Sequence, residues 1–185
     1  MLPSLRLAAG ERPRGPLPRV HRAAVVSASV EKRLRELFGA RWATRDLIRF
    51  HTAHKLLLMA HSTDAYRQLG RLVAEARRTT RGELELRYTD GFMRAMEQTA
   101  TTRGHTNVLQ HMAGYFKNRL DGASKRELAD AIENYRVGLA PLDVPLTRVR
   151  RYVRILGIAY LAGQLYLSAY GHDPLPGADK GRLES

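Results

Sequence analysis

From about Ser29 to Leu167 the chain repeats apolar residues at intervals of three and four, the spacing that lines one face of an α-helix. Val30, Leu34, Leu37 and Phe38 give a short first helix its stripe. Thr44 is placed to cap a second helix running to about His61, with Asp46 in its first turn to complement the dipole. Thr63 or Asp64 opens a third through Leu69, Leu72 and Val73. A fourth is expected from about Glu83 to Thr102, stopped by Gly104, since glycine commonly follows a helix end. His105 or Thr106 opens a fifth, which lasts until Asp121 and Gly122. Ser124 with Glu127 three residues on reads as a capping box for a sixth helix to about Gly138. Pro145 suits the first turn of a seventh, Leu146 to Leu156, where its missing N–H is not needed. Gly157 separates an eighth, through Tyr160, Leu161, Leu165 and Tyr166. No segment alternates with period two for long enough to make a strand. The pattern predicts an all-α fold: a single compact multi-helix domain of about seven or eight helices.

Proline sets the outer limits of that domain. Pro3, Pro13, Pro16 and Pro18 leave little room for a helix in residues 1–28, which read as a basic, Pro/Arg-rich disordered leader. Residues 29–170 form the helical domain, and residues 171–185 a loose C-terminal tail.

Charge narrows the choice of partner. The chain carries 31 Lys plus Arg against 18 Asp plus Glu, a formal net charge of +13, which favours a polyanion. Arginine dominates, and its planar fork suits phosphate better than lysine's point charge. There is no cysteine, which excludes disulfides, thiolate nucleophiles, iron–sulfur ligation and Cys-type zinc sites within this chain. No apolar run is long enough to span a membrane, so a cytoplasmic protein without a membrane partner is expected.

The fifth helix has two distinct faces. Val108, Leu109, Met112, Phe116 and Leu120 form its core side. Asn107, Gln110, His111, Gly114 and Asn118 fall on the other, within about 100° of arc. Lys117 sits at the edge of this stripe, and Tyr115 flanks it where it could stack on a base. Solvated faces usually carry Glu and Lys, and this one holds no carboxylate. It reads either as an ordinary polar surface or as a ligand-facing stripe.

The second helix is apolar nearly all round, and His51, His54 and His61 lie within about 80° of one another on it. Arg45 and Arg49 mark its exposed side. The histidines, with Lys55 and with His105 from the fifth helix, form a polar cluster of unknown role. They could be satisfied core groups or a hydrogen-bonding, phosphate-facing cluster. A metal site would need His105 or His111 to join them, because His61 lies about 10 Å along the axis from His54. No metal and no cofactor is expected.

The seventh helix carries the clearest charge signal. Leu146, Val149, Val153 and Leu156 make its core stripe, while Arg148, Arg150, Arg151 and Arg154 spread over the opposite face with no acid among them. Like charges so placed repel, and a polyanion would relieve them. Ser62, Ser124 and Ser168 lie in no nucleophile motif and no phosphate-binding glycine loop occurs, so no catalytic residue is assigned.

The segments FHTAHKLLLMAHS (Phe50 to Ser62) and HTNVLQHMAGYFK (His105 to Lys117), with Ile132 to Val153 and Ala159 to Leu167, resemble the YbgA-like family. That family is a small bacterial helical domain found alone or fused behind a thiouracil-desulfidase domain. Its fused neighbour looks like an iron–sulfur desulfidase acting on 4-thiouridine in tRNA, so the resemblance implies the accessory, tRNA-binding half and a separate desulfidase partner. The RNA-binding candidates are then Arg148, Arg150, Arg151, Arg154, Asn107, Gln110, His111, Tyr115, Lys117, Asn118, Arg45 and Arg49. Family genes commonly neighbour photolyase genes, which leaves a metal- or cofactor-using enzyme built on the histidine clusters, in a light-damage or repair context, as the alternative. Two departures stand out: Ser168-Ala169-Tyr170-Gly171 replaces the relatives' Asn-Pro-His-Pro, and Gly163 stands where they usually have glutamine.

Overall fold

The protein is seen in a computed structural model that describes residues 19–39 and 41–170. The expected leader, up to residue 18, and the tail, residues 171–185, lie outside the described residues. Nine helices and no strand occur among the described residues: α1 (Arg19–Gly39), α2 (Thr44–His61), α3 (Thr63–Ala74), α4 (Arg81–Glu97), α5 (Thr102–Gly114), α6 (Gly122–Arg136), α7 (Asp143–Leu156), α8 (Ala159–Ala162) and α9 (Leu165–Tyr170). The all-α expectation holds, and the single eighth helix is two short ones broken at Gly163 and Gln164.

Helix starts differ from expectation where a nearer cap competes. α1 begins at Arg19, directly after Pro18, and not near Ser29. Its apolar stripe extends one turn upstream, because Val26 is buried in line with Val30 and Leu34. Ser62, one residue ahead of the expected cap, accepts the Ala65 N–H at 3.3 Å to open α3. Thr80 and Thr101 do the same for α4 and α5. The capping box at Ser124 does not form. Asp121 caps α6, accepting the Ser124 N–H at 2.7 Å, which frees Glu127 for another helix. α7 ends as expected on Gly157, whose φ of +59 is the left-handed conformation that glycine tolerates.

Packing makes two groups around α2. α1 and α3 pack on α4, α6 packs on α5 and α7, and α2 touches α1, α3, α4, α5 and α9. Leu47, Leu56, Leu57 and Leu58 of α2 are all at most 1% exposed, as are Tyr88, Phe92, Leu109, Met112 and Tyr166 from its neighbours. At the α1–α2 corner Trp42 meets Phe38 edge-on at 5.2 Å, and the Arg81 guanidinium lies 5.5 Å from the indole.

Two contacts seat the second group on the first. Gln164, 2% exposed, donates from its amide to the Thr52 carbonyl at 2.8 Å and accepts the Leu56 N–H at 3.3 Å. Those two groups are four residues apart on α2 and would ordinarily bond each other. The second contact corrects the expected role of Gly104. It is not a helix terminator but lies in the first turn of α5, against the end of α2, where an added Cβ would sit 2.2 Å from the Ala60 carbonyl oxygen.

Gly104→Ala should therefore cost about 2–3 kcal/mol, because the obstacle is backbone and the helices must part. Gly114→Ala, with nothing within 4 Å of its Cβ, serves as the control and should be neutral or mildly stabilising. Equal denaturation midpoints for the two variants would refute the close approach. Gln164→Leu removes both bonds to the α2 backbone, one of them to the buried Leu56 N–H, and should lower stability by about 1–3 kcal/mol in urea denaturation; a wild-type midpoint would show that the amide is dispensable.

Candidate nucleic-acid interface and histidine clusters

The α5 stripe is exposed as expected, yet its members point to different neighbours. Val108, Leu109, Met112 and Phe116 are buried, whereas Asn107, Gln110, Gly114, Tyr115, Lys117 and Asn118 are exposed. Asn107 and Gln110 line a cleft of about 930 Å³ that also takes in Thr106, Arg67, Arg103 and Arg136. Arg67 and Arg136 already pair with Asp64 and Glu133, so Arg103 is the arginine of this cleft with no ion pair among the described residues. His111 and Tyr115 turn elsewhere, with ring centroids 5.7 Å apart. α5 stops at Gly114, so Lys117 and Asn118 leave it on the following turn.

That turn meets the end of α7. Phe116 packs against Tyr152 with centroids 5.8 Å apart, and Arg119 donates to the Leu156 carbonyl at 3.5 Å. A basic side chain there complements the negative end of the helix dipole. Arg119 was not singled out from the sequence, where nothing marks it as a neighbour of α7.

The arginines of α7 are not equivalent. Arg148 meets an acid from another helix: its guanidinium donates to Glu127 at 2.9 Å, and Tyr152 donates to the same carboxylate at 3.1 Å. Arg150 is half-buried. Arg151 and Arg154 are exposed and enter no ion pair among the described residues. Arg119 therefore extends a basic strip whose exposed members on α7 are Arg151 and Arg154, and Lys117 is exposed on the same turn as Arg119. Arg45 and Arg49 are also exposed, but they stand on the half of α2 whose Phe50 and His51 pack on Tyr88 of α4. The structure does not bring them to the α7 strip.

The histidines separate into individual partnerships. His54 is 2% exposed; its Nδ1 donates to the Phe50 carbonyl at 2.7 Å, and its ring stacks on Phe50 at 3.8 Å. Its Nε2 finds no hydrogen-bond partner, and burial pushes its pKa down to about 3. His51 shares a hydrogen bond between Nδ1 and the Tyr88 hydroxyl at 3.0 Å, and burial together with the Lys55 charge lowers it to about 4. His61 spans two elements: Nδ1 donates to the Gln98 carbonyl at 2.6 Å and Nε2 accepts from the Tyr170 hydroxyl at 2.7 Å. His105 lies 2.8 Å from the Tyr166 hydroxyl through Nδ1. No group of three or more His, Asp or Glu among the described residues could hold a metal ion.

Lys55 belongs to a grouping the sequence did not reveal. Its ammonium stands 5.6 Å from the centroid of Tyr66, whose ring lies nearly parallel to that of His51. Its charge, after burial, also lowers the pKa of His111. Tyr115 stacks on Tyr160 at 5.2 Å, and burial with the nearby phenols of Tyr115 and Tyr66 raises Tyr160 to about 12. Tyr160 reads as a helix residue in the sequence and Tyr66 carries no signal there, since only folding joins α3 to α8.

Comparison with known proteins places this arrangement. Residues 55–171 match the family described as "Protein of unknown function (DUF1722)". Over 125 residues the chain is 34% identical to "Uncharacterized protein YbgA" of Escherichia coli (strain K12), covering 67% of this chain and 74% of that protein. No solved structure matches. No described helix is long and apolar enough to cross a membrane.

The buried histidines set a pH response. In the unfolded chain they protonate near 6.5, but in the fold His51 and His54 resist until about 4 and 3. Their contribution is whole above about pH 6.5 and is lost as pH falls toward the folded values, because the unfolded state takes up the protons first. At pH 5 His54 alone should remove about 2 kcal/mol. Thermal melts at pH 7.5 and 5.0 should show a drop that shrinks in His54→Phe; an undiminished drop would clear this residue of the effect.

Proposed function

The chain belongs to the DUF1722 family and is a relative of YbgA, and from that premise we propose that it is a non-catalytic module that binds structured RNA, with tRNA as its class. The observation that carries the reading is the uncompensated basic strip of Arg151 and Arg154 on α7, continued by Lys117 and Arg119 from the turn after α5. Exposed cations without carboxylates raise the free protein's energy, and neutralising several phosphates lowers it while releasing counterions. The strip lies on a short rigid helix, so it presents its charges at fixed spacing to a backbone. In a separate cleft the α5 residues Asn107 and Gln110 offer amides to sugars or loop bases, the groups through which folded RNA is read.

Arg148 takes a supporting part in this proposal. Its pairing with Glu127 ties α7 to α6 and fixes the angle at which Arg151 and Arg154 face outward. The role in thiouridine de-modification follows the family resemblance: the cysteine-free chain would hold tRNA for a separate iron–sulfur desulfidase.

Filter binding to tRNA should weaken steeply between about 50 and 200 mM salt, with the paired substitution Arg151→Ala, Arg154→Ala lowering affinity about tenfold and flattening the salt slope. Because both side chains are exposed, the variant should keep its melting temperature. Salt-independent binding, or full affinity in the double variant, would remove this strip from the interface.

A further inference from the structure

The α7 strip and the α5 cleft leave the surroundings of Lys55 without a role. Four elements converge there: α2 supplies His51 and Lys55, α3 supplies Tyr66, α5 with its cap supplies His111 and Tyr115, and α8 supplies Tyr160. Lys55 is half-buried, and no carboxylate among the described residues lies within ion-pair distance of it. An ammonium carries three donors, and taking it partly out of water is unfavourable without acceptors. The Tyr66 ring, 5.6 Å away, supplies a cation–π contact but accepts no conventional hydrogen bond.

The flat faces around it are ordered. His51 lies 11° from parallel with Tyr66, and Tyr115 lies 19° from parallel with Tyr160. Tyr115 is 38% exposed, and so is open to a further ring. Both imidazoles are held below their ordinary pKa, so neither adds a second charge near neutral pH. His111 also has a buried Nε2 without a hydrogen-bond partner. One cation among several tyrosine faces is a poor match for an acidic peptide, which would call for several cations, and for a free sugar, which has no charge. It matches a ligand with one anionic group and one aromatic ring.

We propose that Lys55, Tyr66, Tyr115 and Tyr160 form a site for one unpaired nucleotide, with a phosphate oxygen on the Lys55 ammonium and the base stacked on the tyrosine rings. This deepens the RNA-binding reading, on which it rests for its natural occupant: the α7 strip follows the backbone, and this site takes a base that has left the helix.

The test titrates the full chain with uridine 5′-monophosphate and adenosine 5′-monophosphate, read by NMR on the tyrosine ring signals, with orthophosphate as a parallel probe. Both nucleotides should shift the Tyr66, Tyr115 and Tyr160 rings. Lys55→Met, which keeps the apolar stem, and Tyr160→Leu should each weaken binding about tenfold, while Arg151→Ala, Arg154→Ala leaves it unchanged. Tyr115→Ala, at an exposed position, carries the same test if either buried variant fails to fold. Equal binding of orthophosphate would reduce the site to a bare anion contact and overturn the proposal, as would nucleotides that move no tyrosine signal. Retained tRNA affinity with no nucleotide shift would sink this site alone; nucleotide shifts without tRNA binding would sink the broader reading alone.

Discussion

The bond pair that Gln164 makes to the backbone of α2 holds the two halves of this fold in register. A side-chain amide engages both a carbonyl and an N–H of a buried helix, on a residue that is itself 2% exposed. The buried amide of Gln164 needs partners at that depth and finds them only in this register, which seats the short α8–α9 segment on α2. Docking there sets Tyr166 near His105 and Tyr170 near His61. His51, His61 and His105 thus act as rivets between elements, each with a ring nitrogen on a phenol or carbonyl of a neighbouring element.

Charge is distributed by a simple division. Six of the fourteen described carboxylates are answered locally, by a lysine or arginine three or four residues away on the same helix: Glu31, Glu36, Asp64, Glu83, Asp90 and Glu133. Such exposed pairs are worth little in stability, but on α4 and α6 they leave acids and bases nearly balanced. α7 has one acid in its first turn and a run of arginines after it. On α7 Glu127 pairs with Arg148, while Arg151 and Arg154 stay exposed without an ion pair among the described residues. The location of the basic face follows from where the acids were spent.

Much of this architecture could be read from the chain, and the failures have physical causes. The core face of α5 came directly from apolar periodicity, and the span of α2 was legible too, although Thr44 is its first residue and not its cap: Ala43 holds that position, its N–H on the Asp46 carboxylate at 2.8 Å. Caps were displaced by a residue or more because Ser, Thr and Asp are dense at the junctions, and sequence cannot rank competitors that differ by a fraction of a hydrogen bond. Gly104 was misread because terminator and close-contact glycines look alike until the Ala60 carbonyl is in place. Of the Lys55 surroundings, His51, Lys55, His111 and Tyr115 were marked by composition. Tyr66 and Tyr160 were not, since their partners lie on other helices and only the tertiary fold unites them.

Trp42 gives the molecule an internal gauge. The chain has a single tryptophan, shielded at the corner where α1 meets α2 and covered by Arg81 from α4. Its indole emission therefore belongs entirely to one half of the fold, and α5, α6 and α7 contain no comparable fluorophore. Intrinsic fluorescence would follow the loosening of the first helical group, while circular dichroism sums over both. Any separation between those two signals on heating would measure how tightly the halves melt together, without a label or an added probe.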